Sequence, residues 1–314
     1  VGNVLGGEDF NSTDTGSVRA AVRLLPTDRI TIDVIGNYQE DHPSGTSFKS
    51  RSFNPTDPGT GEVLGNGKPW SGATLAAGPG FEGGRGLGLD RKVWGITALV
   101  GAELNDSLTV NSISAYRKFD ALEVLDADGI SLPVITAAED ARGKQASQEL
   151  RLVFDDEGPF DGFVGASYFW EKGTQRTPAQ FDERVVLAQL AGALNGGGLI
   201  PGRPASDPAP LGLFGNTAFT ALLLQGVAGA QGVALPGVLA QGIAANLKPN
   251  HLETATNDSR TRSFDVFADG TWHVTDRFDL GAGIRYSRDR KVSGISAAVL
   301  NGRSILGGFI GALG

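Results

Sequence analysis

The sequence predicts an all-β chain: a segment of an antiparallel transmembrane β-barrel, with about eight long strands in hairpins. Short periplasmic turns and long extracellular loops are expected to join them. Two observations predict this. Apolar and polar residues alternate with period two over runs of about ten residues, long enough to cross a bilayer at a tilt. Every second connection is a short polar turn and the rest are long, with residues 40–90 rich in glycine, proline, serine, asparagine and threonine.

The first hairpin is the clearest. Val18, Ala20, Val22 and Leu24 lie on one face and Arg19 and Arg23 on the other. Pro26-Thr27-Asp28-Arg29 turns the chain. Ile30, Ile32, Val34 and Tyr38 then alternate with Thr31, Asp33, Asn37 and Gln39. A second hairpin sets Trp94, Ile96, Ala98, Val100, Ala102 and Leu104 before Asn105-Asp106-Ser107 and returns from Leu108 to Phe119.

A third pair runs from Gln145 to Phe154 and from Phe160 to Lys172, about the turn Asp155-Asp156-Glu157-Gly158-Pro159. Here Leu150, Leu152 and Phe154, then Val164, Ala166, Tyr168 and Trp170, give the apolar faces. The fourth sets Phe264, Val266, Ala268, Trp272 and Val274 against Asp265, Asp269 and His273. It turns at Thr275-Asp276-Arg277, and Phe278, Leu280, Ala282, Ile284 and Tyr286 follow. Three of the turns share a plan: an apolar residue, a short polar turn containing Asp, and another apolar residue. Tyr38, Trp94, Tyr116, Tyr168, Trp170, Trp272 and Tyr286 sit near strand ends, where interfacial girdles form.

Composition agrees. Glycine supplies 46 of 314 residues, about twice the usual share, which disfavours long packed helices. Mean hydropathy is near zero, as expected when only one face of each strand meets lipid. The net charge of −8 excludes a basic nucleic-acid surface, so no nucleic-acid partner is expected. Cysteine is absent, which removes disulfides and thiolate chemistry.

The whole chain, 1–314, reads as a single partial barrel domain with long loops at 40–90, 120–144 and 173–260. Within the last, Asp182–Leu194 predicts a short helix. Pro208–Leu247 carries no charged residue and passes the crude length test for a membrane helix. Its glycines, glutamines and Pro236 predict instead one or two short helices capping the barrel mouth.

No enzyme is expected. There is no Gly-x-Ser-x-Gly elbow, no phosphate-binding loop and no His-Glu-x-x-His. Gly83-Gly84-Arg85-Gly86-Leu87-Gly88 has no strand-to-helix context. His42 and His251 lie beside acids but are expected to be solvated, and Asp126 and Asp128 lack the rest of a calcium loop. No cofactor and no metal site is expected. The residues that point into a lumen are Arg19, Arg23, Asp33, Asn37, Arg151, Asp265 and Arg285, with Glu149, Asp269 and Ser287 beside them. These are the candidate ligand-binding residues.

The segments Leu108–Arg117, Gln145–Leu152 and Phe278–Ser287 resemble barrel segments of TonB-dependent outer-membrane receptors. The matching patterns are Thr-x-x-Ser-x-x-Ala-Tyr-Arg, Gln-Glu-Leu-Arg-Leu and Gly-x-Arg-Tyr-Ser, in that order. The resemblance implies a place in the bacterial outer membrane, in contact with its lipid. It implies a 22-stranded barrel closed by a plug and TonB-energised uptake of a scarce solute such as an iron–siderophore complex. The chain shows about eight strands, and no plug domain or C-terminal aromatic strand. It is therefore expected to be the middle of such a barrel, with the TonB complex acting through a plug domain that this chain does not contain. The alternative is a complete small eight-stranded barrel with a structural or adhesive role.

Overall fold

Each of the three shared turns is locked by its own first side chain. In the computed structural model, Arg29 N–H donates to Thr27 Oγ1 (3.3 Å), Ser107 N–H to Asn105 Oδ1 (3.0 Å) and Arg277 N–H to Thr275 Oγ1 (3.3 Å). This side-chain turn satisfies a backbone donor that the ladder cannot reach. Each of these hairpins also slips register just before its turn, at Leu24/Thr27, Glu103/Asn105 and His273/Thr275. A bulge there strengthens the local twist. The structure describes all residues except 5–7, 49–71, 74, 131, 157, 195–201, 203–208 and 210. Much of the predicted loop 40–90, Glu157 of the third turn and Pro208 therefore lie outside the described residues.

The strands are β1 (Thr15–Thr27), β2 (Ile30–Asp41), β3 (Gly88–Asn105), β4 (Leu108–Asp126), β5 (Ile135–Phe154), β6 (Phe160–Phe181), β7 (His251–Thr275) and β8 (Phe278–Val299). They form one antiparallel sheet in sequence order. Among the described residues β1 pairs with β2 alone and β8 with β7 alone, so the sheet is open. A closed eight-stranded barrel would need β1 against β8.

The strands run further than the alternation predicts. β4 and β5 take up most of 120–144, leaving 127–134 as the connection. β6 and β7 extend into 173–260, leaving 182–250. Their outer ends carry mixed polar residues on both faces because both faces meet water there, and that erases period-two contrast.

The 182–250 connection holds α1 (Glu183–Leu190), α2 (Leu211–Phe214), α3 (Thr217–Ala230) and α4 (Gly237–Asn246). The uncharged stretch is thus broken into short helices. Gly232, at φ 75°, and Pro236 end one helix and start the next. Among the described residues no helix is long and apolar enough to cross a membrane. The glycine-rich end, for which no helix was expected, forms α5 (Ile305–Gly311). Leu306 and Phe309 of α5 join Leu187, Leu224, Ala228 and Ala240 in one helical core. A second core packs Val185, Ala188 and Phe214 on Ile130, Leu132 and Val134 of the β4–β5 connection. The helices therefore form a cap fastened to the loop rim.

Glu183 ties that cap down. Its carboxylate accepts Lys248 N–H (2.7 Å), Ser304 Oγ–H (2.6 Å) and Leu306 N–H (3.3 Å). Lys248 Nζ in turn donates to the carbonyls of Asn301, Gly302 and Arg303.

Candidate functional site: the inner wall

Because side chains alternate along a strand, the register sorts every residue onto one of two faces. Val18, Val22, Trp94, Ile96, Leu150, Val164, Tyr168, Val266, Leu280 and Ile284 share the outer face and are exposed. The Trp94 and Tyr116 rings lie 5.3 Å apart, tilted by 46°, at its loop end, and Phe154 and Phe160 lie 6.5 Å apart near its turn end. From Trp272 to Arg262 on β7 is about ten residues, about 24 Å along the barrel axis at a 45° tilt, which matches the height of a lipid-facing band. The predicted girdle aromatics all fall on this face.

The seven predicted lumen residues all fall on the opposite face. One cross-strand row reads Arg23, Asp33, Leu99, Ile113, Glu149, Ser167, Asp265, Ser287 from β1 to β8. Arg23 grips Asp33 through two bonds, of 2.7 and 2.9 Å. Asp265 accepts from Arg285 (3.1 Å) and Ser167 (3.0 Å) and also from Ser287. The next row sets Asn111, Arg151, Gly165, Phe267 and Arg285 side by side. The Arg151 and Arg285 guanidinium groups lie 5.5 and 5.6 Å from the centre of the Phe267 ring, and Phe163 meets that ring edge-on at 6.1 Å. Asp33 and Arg151 also line one cleft of about 440 Å³ with Thr31, Asn111 and Glu149.

Arg19 and Asn37 are directly opposed in a third row that continues through Gly95, Arg117, Gln145, Glu171, Thr261 and Lys291. This row borders a cleft of about 970 Å³, lined by Arg91, Arg117, Phe119, Gln145, Glu171, Asn257 and Lys291 among others. None of these was among the candidate binding residues. Arg117, Gln145 and Glu171 follow from extending the period-two count past the aromatic band. Lys291 and Asn257 need the register, since they stand beyond the predicted strands.

Above the aromatic band, Asp41 is buried and accepts from Arg91 (2.8 Å), Gln39 (2.9 Å) and Thr15 (2.8 Å). The Arg91 hydrogen bond, helped by Gln39, holds its carboxyl at about 2. In the β4–β5 connection Asp126 accepts the backbone N–H of Ala76, Asp128 and Gly129, and Asp128 accepts those of Ile130 and Ile135. Burial, and then the neighbouring Asp126, push the Asp128 carboxyl well up. This pair organises a turn. Among the described residues no group of three or more metal-ligating side chains is placed to hold an ion.

Two expectations about the histidines divide. His42 is exposed beside Glu40 and Asp90, at 3.5 and 3.7 Å. His251 is not solvated: it is 3% exposed, with Nε2 on Glu253 at 2.9 Å, and it pairs with Phe181 at the loop end of the sheet. The glycine loop 83–88 leaves a 3-10 turn, Phe81–Gly83, and enters β3, with Gly83 and Gly84 at φ 77° and 82°. It serves a turn and opens no helix for a phosphate.

No family model matches the chain, and no curated protein matches it. Solved structures do. The ferric yersiniabactin uptake receptor FyuA from Yersinia pestis superposes with a TM-score of 0.53 at 14% identity, over 95% of this chain and 33% of its own. The Pseudomonas aeruginosa receptor FpvA, solved with a heterologous ferric pyoverdine, gives 0.47 at 9% identity over 91% of this chain and 32% of its own. The chain thus spans about a third of the length of these receptors. It has the β-barrel fold of the yersiniabactin receptor over an open sector of eight strands, the fold implied by the resemblance to TonB-dependent receptors.

Proposed function

We propose that this chain forms part of the barrel wall of a bacterial outer-membrane receptor that takes up a scarce solute. The observation that carries the reading is the two-faced wall: an apolar, aromatic-bounded outer face backed by an inner face of paired and stacked charges. A soluble sheet does not leave such a band bare, because a contiguous apolar patch of that size drives association. The inner wall binds and does not catalyse: Arg23 and Asp265 have fixed partners, while Arg117, Glu171 and Lys291 flank an open cleft.

In this reading the solute is a metal chelate such as an iron–siderophore complex. It is captured by the loops and passes clefts lined by both signs of charge, Arg91, Arg117 and Lys291 with Glu171. Energy comes from TonB through a plug domain. Deletion of the gene tests this. The mutant should grow poorly with a ferric siderophore as sole iron source, and Arg117→Ala with Lys291→Ala in the natural gene product should weaken chelate binding about tenfold or more. Unchanged growth across a panel of ferric siderophores, with unchanged binding, defeats it.

A further inference from the structure

On the outer face, just above the aromatic band, like charges stand directly opposite one another. One cross-strand row reads Tyr38, Trp94, Lys118, Lys144, Lys172, Arg260 from β2 to β7. The row on its membrane side reads Ile96, Tyr116, Ala146, Trp170, Arg262, Arg290 from β3 to β8. No acid lies in either row. The cations are all exposed, and among the described residues none forms an ion pair.

Neighbouring strands are about 4.8 Å apart, and like charges directly opposite destabilise a sheet. The row one step further from the membrane shows what the same sheet does elsewhere. There Glu40, Lys92, Asp120 and Arg142 alternate in sign, and they pair at 2.9 Å (Lys92–Glu40) and 3.6 Å (Arg142–Asp120). The unpaired row therefore lacks an anion that the chain does not itself supply.

The position says which anion. These cations sit where the apolar band ends, at the depth of lipid headgroups. Lys172, Arg260, Arg262 and Arg290 line one cleft of about 440 Å³ together with Asp258, whose carboxylate accepts from Thr174 Oγ1. Lys144 Nζ lies 5.6 Å from the centre of the Trp170 ring, so an aromatic that marks the interface also orients a cation. Multiple phosphates spread along a membrane surface complement cations spread along a strand row.

We infer that this belt binds the phosphorylated headgroups of the lipids around the barrel, with Lys118, Lys144, Lys172, Arg260, Arg262 and Arg290 as the phosphate ligands. The inference rests on the membrane reading above and adds a site on the opposite face from the solute path. Its role is to seat the barrel at a fixed depth and to seal its loop end against the leaflet.

The test uses the natural gene product in detergent, titrated with bis-phosphorylated lipid A and followed by native mass spectrometry. The wild type should hold the lipid. Lys144→Gln/Lys172→Gln/Arg260→Gln should bind it at least about tenfold more weakly. Lys92→Gln/Arg142→Gln, from the paired row, should bind as the wild type does. Dephosphorylated lipid should not bind, and inorganic phosphate should not displace the phosphorylated form. Equal binding by the triple variant overturns the site, as does equal binding of the dephosphorylated lipid. Displacement by inorganic phosphate would assign the belt to free anions and overturns the lipid assignment. Lys172→Gln alone, the milder change, is read in parallel and should show a partial loss. Heat-modifiable gel migration reports barrel formation separately. Its absence in the wild type sinks the membrane reading, whereas its presence without lipid binding sinks only this site.

Discussion

The Phe267 ring lies where a Cβ on Gly165, its direct partner on β6, would stand. That vacancy lets the ring settle between Arg151 and Arg285 on the inner wall. Gly165→Val should expel Phe267 and break the stack. The expected readout is a lower melting temperature and less heat-modifiable barrel. Gly36→Ala is the control, since nothing lies within 4 Å of its added carbon, and it should behave as the wild type does.

Acid should act through Asp41. Its folded value, about 2, lies below the ordinary 3.8 because Arg91 and Gln39 bind the ionised form. A depressed carboxylate stabilises the fold above its ordinary value, and that contribution disappears as pH falls from about 4 to about 2. Hydrogen exchange at the loop ends of β1, β2 and β3 should rise over that window in the wild type. In Asp41→Asn it should be raised already at neutral pH and stay flat with acid. A steep acid response in the variant would assign the effect to another group.

The two faces should differ in what they tolerate. Val266 faces outward near the middle of the apolar band, and Ser147 faces inward. Val266→Arg should cost about 2–4 kcal/mol in reversible unfolding from vesicles, as for a cation at the bilayer midplane. Ser147→Arg should change stability by less than about 0.5 kcal/mol. Equal costs would mean that the outer face does not meet lipid.

The cap should unfasten without unfolding the sheet. Glu183→Ala removes the acceptor for Lys248 N–H, Ser304 Oγ–H and Leu306 N–H. Leaving these donors unmatched costs about 1–3 kcal/mol each. Limited proteolysis should then cut within α3, α4 and α5 while heat-modifiable migration is kept. Joint loss of cap and barrel would show that the helices are part of the sheet's own stability.

The membrane-level half of each strand is written in the sequence. Val18 to Leu24, Trp94 to Leu104 and Phe264 to Val274 alternate, with Leu99 and Phe267 as inner-face exceptions, because the two faces meet different surroundings, a contrast that residue type largely records. The turns at Asp28, Asp106 and Asp276 are equally legible, since their chemistry is local. Above the membrane that contrast ends. There the strand extensions to Asp126, Phe181 and back to His251 became visible only through pairing with neighbours. The burial of His251, the folding of the glycine-rich end into α5 and the clamp at Glu183 depend on contacts between segments far apart in the chain. The register decided the most: it placed Lys118, Lys144, Lys172 and Arg260 in a single row, although their spacing along the chain gives no sign of it. Period two assigns a residue to a face, but only hydrogen-bonded neighbours assign it a height on the wall.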